Sequence, residues 1–291
     1  MKYYFLINPT AGGKNKADVE TYIKDVCTNN KLDFEIYYTK AKRDATKFVV
    51  DHKDEDCCVF ACGGDGTVYD VVNGAVNTNV KIGVYPCGSG NDFARYFKDA
   101  KDLDTVLKQE SIKVDTLKVN DVYSINVVNL GFDAAVNGSV DRFKKKFSIT
   151  TAYNLSIISN IIKKMNKKYK IVIDGEVLEE GMFLLMSLGN ASYYGGGYKC
   201  APNAILDDGL LEFCAVRKIS RFTLPKLINV YKKGEHLTNK KMAKYFVYKQ
   251  CKCVEVISEE EFDVTVDGEN FKTKNLKVTV EPKSVNLVCN K

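Results

Sequence analysis

The chain has 291 residues, of which 45% are hydrophobic, 27% charged and 11% aromatic, with 20 Gly and 5 Pro. This composition is that of a globular protein and excludes collagen, a coiled coil and extensive disorder. The 43 Lys and Arg against 37 Asp and Glu leave a formal net charge of +6, which is too mild and too dispersed to indicate nucleic acid as a partner.

Ten cysteines are the one unusual count, beside only two His. Their spacing does not form the paired Cys-x2-Cys or Cys/His pattern of a zinc site, and several lie in apolar runs where a free thiol behaves as a small hydrophobe. The N-terminal apolar run is too short for a signal peptide, and no stretch reaches the roughly 18 uncharged residues of a membrane span. We expect reduced thiols in a cytoplasmic protein without a transmembrane segment, and contact with the inner face of the membrane stays open.

The first part of the chain alternates strand and helix patterns. Residues 2–7, 34–38, 57–62 and 81–85 are apolar runs typical of buried strands, and residues 18–29, 44–52 and 68–76 have apolar side chains at helical spacing. Such repeats with short connections predict a parallel sheet covered by helices. Ligands of these sheets bind where the carboxyl ends of the strands meet the amino ends of the helices.

From about residue 113 the hydrophobic period becomes two, which predicts strands at residues 122–128, 169–173, 182–188, 210–216, 252–257, 262–266 and 276–280. Residues 150–168 are the exception, because they have an amphipathic helical pattern with a basic end. The predicted fold class is therefore α/β, with a parallel-sheet domain at residues 1–122 and a mostly β sandwich domain at residues 123–280. The segment 281–291 is free to return to the first domain.

The loop at residues 63–67, Gly-Gly-Asp-Gly-Thr, joins a predicted strand directly to a helix. Its three glycines let backbone N–H groups face a bound oxyanion at the positive end of that helix, as in phosphate-binding loops. An Asp-Gly hairpin turn would join two strands, so the phosphate loop is the better interpretation. The Walker A pattern is absent, and Tyr69 stands where Gly-x-Gly-x-x-Gly requires its third glycine, which argues against a dinucleotide-fold dehydrogenase.

Two further loops follow neighbouring strands, at residues 86–92 and 8–13. Loops of this kind open on one edge of a parallel sheet and can grip a polyphosphate from several sides. Asp92 either caps the next helix or lies near the nucleotide or its metal, and the sequence leaves both roles open. We predict a nucleoside triphosphate site whose central loops supply Gly63, Gly64, Asp65, Gly66, Thr67, Gly88, Ser89, Asn91 and Asp92.

Two Asp-Gly-Glu triplets, at residues 174–176 and 267–269, compete to supply a general base. The first lies between two apolar runs, where an exposed hairpin turn is the simplest account. The second also follows a predicted strand. Residue chemistry alone does not separate the two triplets.

Six motifs occur here in the order seen in the diacylglycerol kinase catalytic-domain family, especially its soluble bacterial lipid kinases. They are Asn-Pro-Thr-Ala-Gly at 8–12, Gly-Gly-Asp-Gly-Thr at 63–67, Asn-Gly at 73–74, Pro-Cys-Gly-Ser-Gly-Asn-Asp-Phe-Ala-Arg at 86–95, Leu-Asp-Asp-Gly-Leu at 206–210 and Asp-Gly-Glu at 267–269. The chain resembles this family over nearly its whole length. The loop at 63–67 alone is also similar to NAD kinases, whereas the continuation Gly-Asn-Asp-Phe-Ala-Arg is similar to the lipid kinase branch.

The resemblance implies a fold of the NAD kinase/diacylglycerol kinase type, and ATP-dependent phosphorylation of a hydroxyl of diacylglycerol or a related membrane lipid. It implies that the nucleotide lies on the first domain and the lipid in a cleft of the second. By motif match, it also implies a structural Mg²⁺ held by Asp208 and the carbonyls of Ile205 and Leu210, with Asp115 nearby through water. The nucleotide contacts that it implies are Asn8, Pro9, Thr10, Ala11, Gly12, Thr39, Ser89 and the run from Gly64 to Asp70.

The order of the family's motifs also selects the late Asp-Gly-Glu triplet for catalysis. It implies Glu269 as the general base, Asp267 as its support, and Asp65 either coordinating Mg²⁺ or assisting proton removal. The alternatives are an NAD kinase acting on a soluble dinucleotide and an inactive nucleotide-binding regulator, which the intact acidic residues disfavour. The sequence does not fix the acceptor lipid, ATP over another triphosphate, or the oligomeric state, for which a homodimer stays open.

The sequence also offers two basic segments as membrane contacts, at residues 142–146 and 163–168. Basic side chains near anionic headgroups contribute about 1 kcal/mol each. The competing interpretation of both segments is a solvated basic face.

Overall fold

The computed structural model describes residues 1–12, 15–144, 146, 155–156, 159 and 166–289. The alternation of strands and helices predicted for the first part of the chain is confirmed, with boundaries that differ by at most three residues. In chain order its elements are β1 Lys2–Ile7, α1 Lys16–Asn29, β2 Phe34–Tyr38, α2 Asp44–Asp51, β3 Cys57–Gly63, α3 Asp65–Ala75 and β4 Lys81–Pro86.

The rest of the chain is dominated by strands. A 3₁₀ turn at Phe93–Tyr96 leads to α4 Leu103–Leu107, β5 Ser111–Val119, β6 Val122–Ser124, β7 Val127–Gly131 and α5 Phe132–Lys144. Then follow β8 Lys167–Ile173, β9 Glu176–Gly189, β10 Tyr193–Tyr194, β11 Tyr198–Lys199, β12 Leu211–Arg217 and α6 Leu224–Lys232. Two 3₁₀ turns, Glu235–Leu237 and Ala243–Tyr245, precede β13 Phe246–Cys251, β14 Cys253–Val266 and β15 Glu269–Val288.

Strand pairing corrects the expectation of a parallel sheet. Parallel pairing joins β1 to β2 and β3, β3 to β4, and β4 to the end of β15. The later strands pair antiparallel within the same continuous network, so the sheet is mixed. The reason lies in the connections, because helical crossovers return the chain to a parallel neighbour whereas hairpin turns reverse it.

The β-rich part closes on itself. Strands β9 and β14 each pair with both β7 and β8, so these four strands form a ring. Its interior is packed with fully buried side chains that include Tyr169, Phe183, Phe213 and Phe262. Burial of each such side chain contributes about 1.5–3 kcal/mol to stability.

Several predicted elements of this part need correction. Lys167 and Lys168 begin β8, not the end of a helix, and most of the predicted helix 150–168 lies outside the described residues. The predicted strands 252–257 and 262–266 are one strand, β14, with an irregularity between Ile257 and Phe262. Helices α5 and α6 were not predicted.

Strand β15 is 20 residues long and pairs with β14, β5 and β4. It therefore runs from the β-rich part into the first part, and the domain boundary near residue 122 stays a prediction.

Every helix within the described ranges is too short or too polar to span a bilayer. All ten cysteines are free and nine are buried, and burial raises the pKa of Cys27 and Cys57 to about 11, which keeps both thiols protonated.

Candidate active site

The ends of β3 and β4 hold two of the glycine-containing loops against each other. The Gly63 carbonyl accepts hydrogen bonds from the N–H groups of Cys87 and Gly88, both at 3.0 Å. A Cβ on Gly88 would lie 2.4 Å from the Gly64 Cα, so only glycine permits this approach. Asn91 closes the second loop, because its side chain accepts from the Gly88 N–H at 3.1 Å and donates to the Gly88 carbonyl at 2.7 Å.

Helix α3 begins directly beyond the first of these loops. Gly64 precedes it and no side chain caps it, so the N–H groups of Asp65 and Gly66 are available at the positive end of the helix. Thr67 packs against Gly63, where a Cβ would lie 2.1 Å from the threonine Oγ1. This helix terminus has the geometry of an oxyanion site.

The loop after β1 lies at the same edge of the sheet. The Asn8 Nδ2 donates to Thr67 Oγ1 at 3.5 Å, and the Asn8 Oδ1 accepts from the Thr10 N–H at 3.0 Å. Thr39, which follows β2, donates its N–H to the Ile7 carbonyl at 3.0 Å. The four strand ends therefore surround one opening whose exposed residues include Pro9, Thr10, Gly12 and Ser89.

Asp70 lies on the second turn of α3 and binds Arg43, which was not predicted as part of the site. Its Oδ2 accepts from the Arg43 N–H at 3.1 Å, and Arg43 adopts a φ of 67° at the start of α2. The Arg43 guanidinium lies 4.7 Å from the centre of the Tyr69 ring. Burial raises the pKa of Asp70, an effect that the Arg43 contacts oppose.

Asp65, Asp92 and Asp267 line one cavity of about 200 Å³. Burial raises the pKa of Asp65, and the nearby charge of Asp92 adds to this shift. Asp92 makes no capping hydrogen bond to the following turn; its Oδ1 accepts from Arg95 Nε at 3.1 Å and its Oδ2 from the Gly196 N–H at 2.8 Å. The capping role considered for Asp92 is therefore wrong, and the residue faces the cavity.

Asp267 is held at the centre of a network of donors. Its Oδ1 accepts from Ser124 Oγ at 2.6 Å and from the N–H groups of Asn126 at 3.3 Å and Val127 at 3.0 Å. Its Oδ2 accepts from the Ile125 N–H at 2.9 Å. Burial raises the pKa of Asp267 to about 6, while these donors oppose the shift by stabilising the carboxylate.

The two Asp-Gly-Glu triplets form the same kind of turn. Asp174 and Gly175 have φ values of 51° and 87°, and Asp267 and Gly268 have values of 47° and 99°. Both are two-residue hairpin loops with left-handed central residues, so the hairpin predicted at 174–176 is confirmed. The difference is the surroundings: the Asp174 side chain is exposed and accepts from Lys252 and Cys253, whereas Asp267 is buried beside the cavity.

Glu269 is the first residue of β15 and lies outside the cavity wall. Its carboxylate forms an ion pair with Lys42, and its side chain is 33% exposed. The charge of Glu269 contributes to raising the pKa of both Tyr69 and Asp70, so it lies near this part of α3. To act at the cavity, this carboxylate would have to leave the ion pair with Lys42.

The residues proposed for Mg²⁺ form an oxygen-rich corner away from the glycine loops. Asp115 is fully buried, with Oδ1 accepting from the Lys283 N–H and Oδ2 from the Gly209 N–H, both at 2.7 Å. Burial raises the pKa of Asp208, and the charge of Asp115 adds to the shift. Two neighbouring carboxylates beside the exposed Ile205 and the turn at Leu210 fit a hard cation with oxygen ligands.

A second, apolar cavity adjoins the acidic one, and sequence reasoning missed it. Asp133 and Tyr194 line both cavities, and the Tyr194 hydroxyl donates to Asp133 Oδ2. Burial raises the pKa of Asp133 to about 6 and raises that of Tyr194 as well, so the tyrosine stays protonated. The other residues that line the apolar cavity are Phe132, Val136, Leu184, Leu185, Tyr198, Leu224, Leu227, Ile228 and Tyr231.

Comparison with known proteins agrees with this geometry. Residues 2–119 match the model of the diacylglycerol kinase catalytic domain, and residues 126–289 match that of the YegS C-terminal NAD kinase beta sandwich-like domain. The diacylglycerol kinase of Staphylococcus carnosus is 31% identical over 274 residues, which cover 91% of this chain and 87% of that protein.

Solved structures share the fold. A crystal structure from Bacillus anthracis matches with a TM-score of 0.76 at 26% identity, covering 99% of this chain and 97% of that one. An NAD kinase from Archaeoglobus fulgidus, solved in complex with ATP, matches with a TM-score of 0.53 at 10% identity, covering 100% and 94% of the two chains, and is similar in fold alone. The motifs, the loop geometry and the relatives agree that the chain belongs to the diacylglycerol kinase catalytic-domain family.

Proposed function

We propose that this protein is an ATP-dependent lipid kinase that transfers the γ-phosphate to a hydroxyl of diacylglycerol or a related membrane lipid. The observation that carries the proposal is the junction of two cavities, one lined by Asp65, Asp92 and Asp267 and the other by apolar side chains. An acceptor with a polar hydroxyl end and an apolar chain matches the chemistry of both linings, and the apolar cavity, about 30 Å³ in this structure, would have to widen to admit the chain. The apolar cavity offers little to the polar dinucleotide that an NAD kinase would phosphorylate.

The nucleotide would lie on the glycine loops. The uncapped start of α3 offers backbone N–H groups and a positive helix end to the phosphates. The contact between Gly88 and Gly64 leaves the loops without side chains where a polyphosphate would approach. These features support ATP or another nucleoside triphosphate as the donor.

The acceptor hydroxyl needs a group that takes its proton as its oxygen bonds to the γ-phosphorus and ADP leaves. Asp267 Oδ1 already accepts three hydrogen bonds, so this residue holds the turn rather than moving. Glu269 follows it by two residues, is 33% exposed and pairs with Lys42 at the surface. We assign proton removal to Glu269 and positioning of the turn to Asp267. Asp65 would either hold Mg²⁺ or assist proton removal.

Mg²⁺ bound with the nucleotide would neutralise charge that develops on the transferring phosphoryl group. A separate structural ion would bind at Asp208, with Asp115 and the carbonyls of Ile205 and Leu210, and would relieve the repulsion between the two carboxylates. Addition of Mg²⁺ without nucleotide should then raise the melting temperature of the native chain and not that of Asp208→Asn. An equal shift in both proteins would contradict this assignment.

The decisive experiment is incubation of the protein with labelled ATP and Mg²⁺ together with extracted membrane lipids or, separately, with NAD. We expect label in a lipid monophosphate, identified by mass spectrometry, and none in Asp65→Asn samples. Label in NADP without labelled lipid would replace the proposal by an NAD kinase. Nucleotide binding without transfer to either acceptor would favour a regulator.

A further inference from the structure

Phe222 is an aromatic side chain that the fold leaves in solvent. It is 93% exposed, whereas the next most exposed large hydrophobic residue in the described ranges is Val177 at 59%. It lies in the connection between β12 and α6, in the sequence Ser-Arg-Phe-Thr. An exposed aromatic ring in a short connection requires an explanation, because burial of the ring would lower the free energy.

The chain around Phe222 is basic throughout. Residues 217–233 contain Arg217, Lys218, Arg221, Lys226, Lys232 and Lys233 and no Asp or Glu. Arg217 pairs with Glu179 at 2.9 Å, and the other five side chains are exposed. A segment with one exposed aromatic ring among cations has the composition that favours an anionic bilayer surface.

The helix that follows Phe222 covers the apolar cavity. Leu224, Leu227 and Tyr231 are buried on the inner face of α6 and line that cavity together with Ile228. The same cavity shares Asp133 and Tyr194 with the acidic one. Phe222 therefore lies just before the helix that covers the apolar cavity, which adjoins the acidic one.

We infer that residues 217–233 form the membrane-docking surface of this protein, with Phe222 entering an anionic bilayer and the surrounding cations contacting headgroup phosphates. Docking through this surface brings the bilayer to the helix that covers the apolar cavity. Docking itself does not depend on the proposed function. The inference rests on that function only to explain why docking would bring the enzyme to its substrate. Residues 217–233 are a different stretch of the sequence from the basic segments at 142–146 and 163–168.

The test is co-sedimentation of the full chain with vesicles, without nucleotide. Phe222→Ser should lower the partition coefficient on vesicles of phosphatidylglycerol and phosphatidylcholine by about tenfold, the effect of losing one buried aromatic ring. The triple variant Lys218→Gln, Arg221→Gln, Lys226→Gln should lower it on the order of 100-fold at low salt, and high salt should weaken native binding. Val177→Ser, which also removes an exposed hydrophobic side chain, should bind like the native chain.

The inference would be overturned if Phe222→Ser bound vesicles as strongly as the native protein. It would also be overturned if binding of the native protein did not depend on anionic lipid and salt. A kinase assay separates this failure from failure of the proposed function. Phe222→Ser should phosphorylate a short-chain diacylglycerol in solution at the native rate and long-chain diacylglycerol in vesicles at about a tenth of it. Vesicle binding that depends on Phe222 in a protein that phosphorylates only NAD would support docking and contradict the lipid kinase.

Discussion

Asp267 and Glu269 are two residues apart, yet their surroundings assign them different tasks. Asp267 is buried and accepts four hydrogen bonds from residues 124–127, whereas Glu269 is 33% exposed and pairs with Lys42. A fixed carboxylate suits positioning, and a rotatable one suits proton transfer. The difference gives the two residues separable effects on stability and rate.

Glu269→Gln should lower the rate of phosphate transfer by roughly 10²–10⁴-fold, the usual contribution of a general base. The free energy of unfolding should change by no more than about 1 kcal/mol, since an exposed ion pair contributes little. Asp267→Asn should lower both quantities, because its new amide would face backbone donors at a cost of about 1–3 kcal/mol. Transfer rates and urea denaturation measure the two effects.

Asp174→Asn is the matched control for these variants, because Asp174 occupies the same type of turn on the exposed side of the molecule. It should retain native transfer. Glu269→Gln with native activity would remove Glu269 from the role of base and return that role to Asp65 or Asp267.

Asp133 gives the stability of the protein a dependence on pH. Burial raises its pKa to about 6 in the folded chain, against about 3.9 for an unfolded aspartate. The folded state therefore binds more protons between these values, and stability must fall as the pH rises through 6. A shift of this size corresponds to an upper bound of about 3 kcal/mol.

Asp133→Asn does not titrate and can still accept from the Tyr194 hydroxyl. We expect its free energy of unfolding to change less between pH 4 and pH 7 than that of the native protein, as measured by urea denaturation. Asp267 titrates in the same direction, so a smaller slope should persist in the variant. Identical slopes in the two proteins would show that Asp133 has an ordinary pKa.

At the scale of elements, the loops that follow β3 and β4 contain two kinds of glycine. Gly88 is required for packing, whereas Gly66 is expected to contact the nucleotide. A Cβ on Gly88 would lie 2.4 Å from the Gly64 Cα, whereas a Cβ on Gly66 meets nothing within 4 Å. Gly88→Ala should therefore lower both the melting temperature and the affinity for ATP. Gly66→Ala should keep or raise stability by up to about 1 kcal/mol, because alanine favours a helix.

The informative measurement on Gly66→Ala is nucleotide binding by calorimetry. If phosphates approach the backbone at the start of α3, the added methyl group should lower ATP affinity in a protein that is fully stable. Native affinity in Gly66→Ala would move the phosphates away from this turn.

These elements also show what local sequence encodes. Strands β1, β3 and β4 were predictable because they are apolar apart from the lysine that begins β1 and β4. The loops after them were predictable because each contains glycine and directly follows a strand. Helix α5 was missed because Asn137 and Gly138, two weak helix formers, stand in its middle. Helix α6 was missed because Pro225 resembles a helix breaker, although it stands in the first turn.

The residues of the site that were missed gave no local sequence signal. Asp133 meets Tyr194 across 61 residues, and Arg43 reaches Tyr69 across 26, so only the fold brings each pair together. Asp267 was distinguished from Asp174 by the family motif alone, since both turns have the same local sequence. What separates them is burial against residues 124–127, a contact over about 140 positions.

At the scale of the whole molecule, β15 ties the two parts of the chain together. Its last residues pair parallel with β4 and antiparallel with β5. Ser284 bonds Thr116 through their hydroxyls at 2.8 Å and accepts from the Asn77 N–H at 2.8 Å, and Lys283 donates to Asp115 at 2.7 Å. The strand that begins with Glu269 in the β-rich part therefore ends inside the core of the first part.

Truncation after residue 281 should uncouple the two parts. It would remove Val285 and Leu287, both buried, from the core of the first part and expose the edge of β4, with an expected loss of several kcal/mol at about 1.5–3 kcal/mol per side chain. Hydrogen exchange measures the result: in the full chain, amides of β3 and β8 should exchange through one global opening. In the truncated chain, amides of β3 should exchange far faster while those of β8 stay protected.

Ser284→Ala is the control for this truncation. It removes hydroxyl contacts worth about 1 kcal/mol and should leave a single global opening. Unchanged protection of β3 after truncation would mean that the first part folds without β15, and Glu269 would then have no rigid connection to the nucleotide loops.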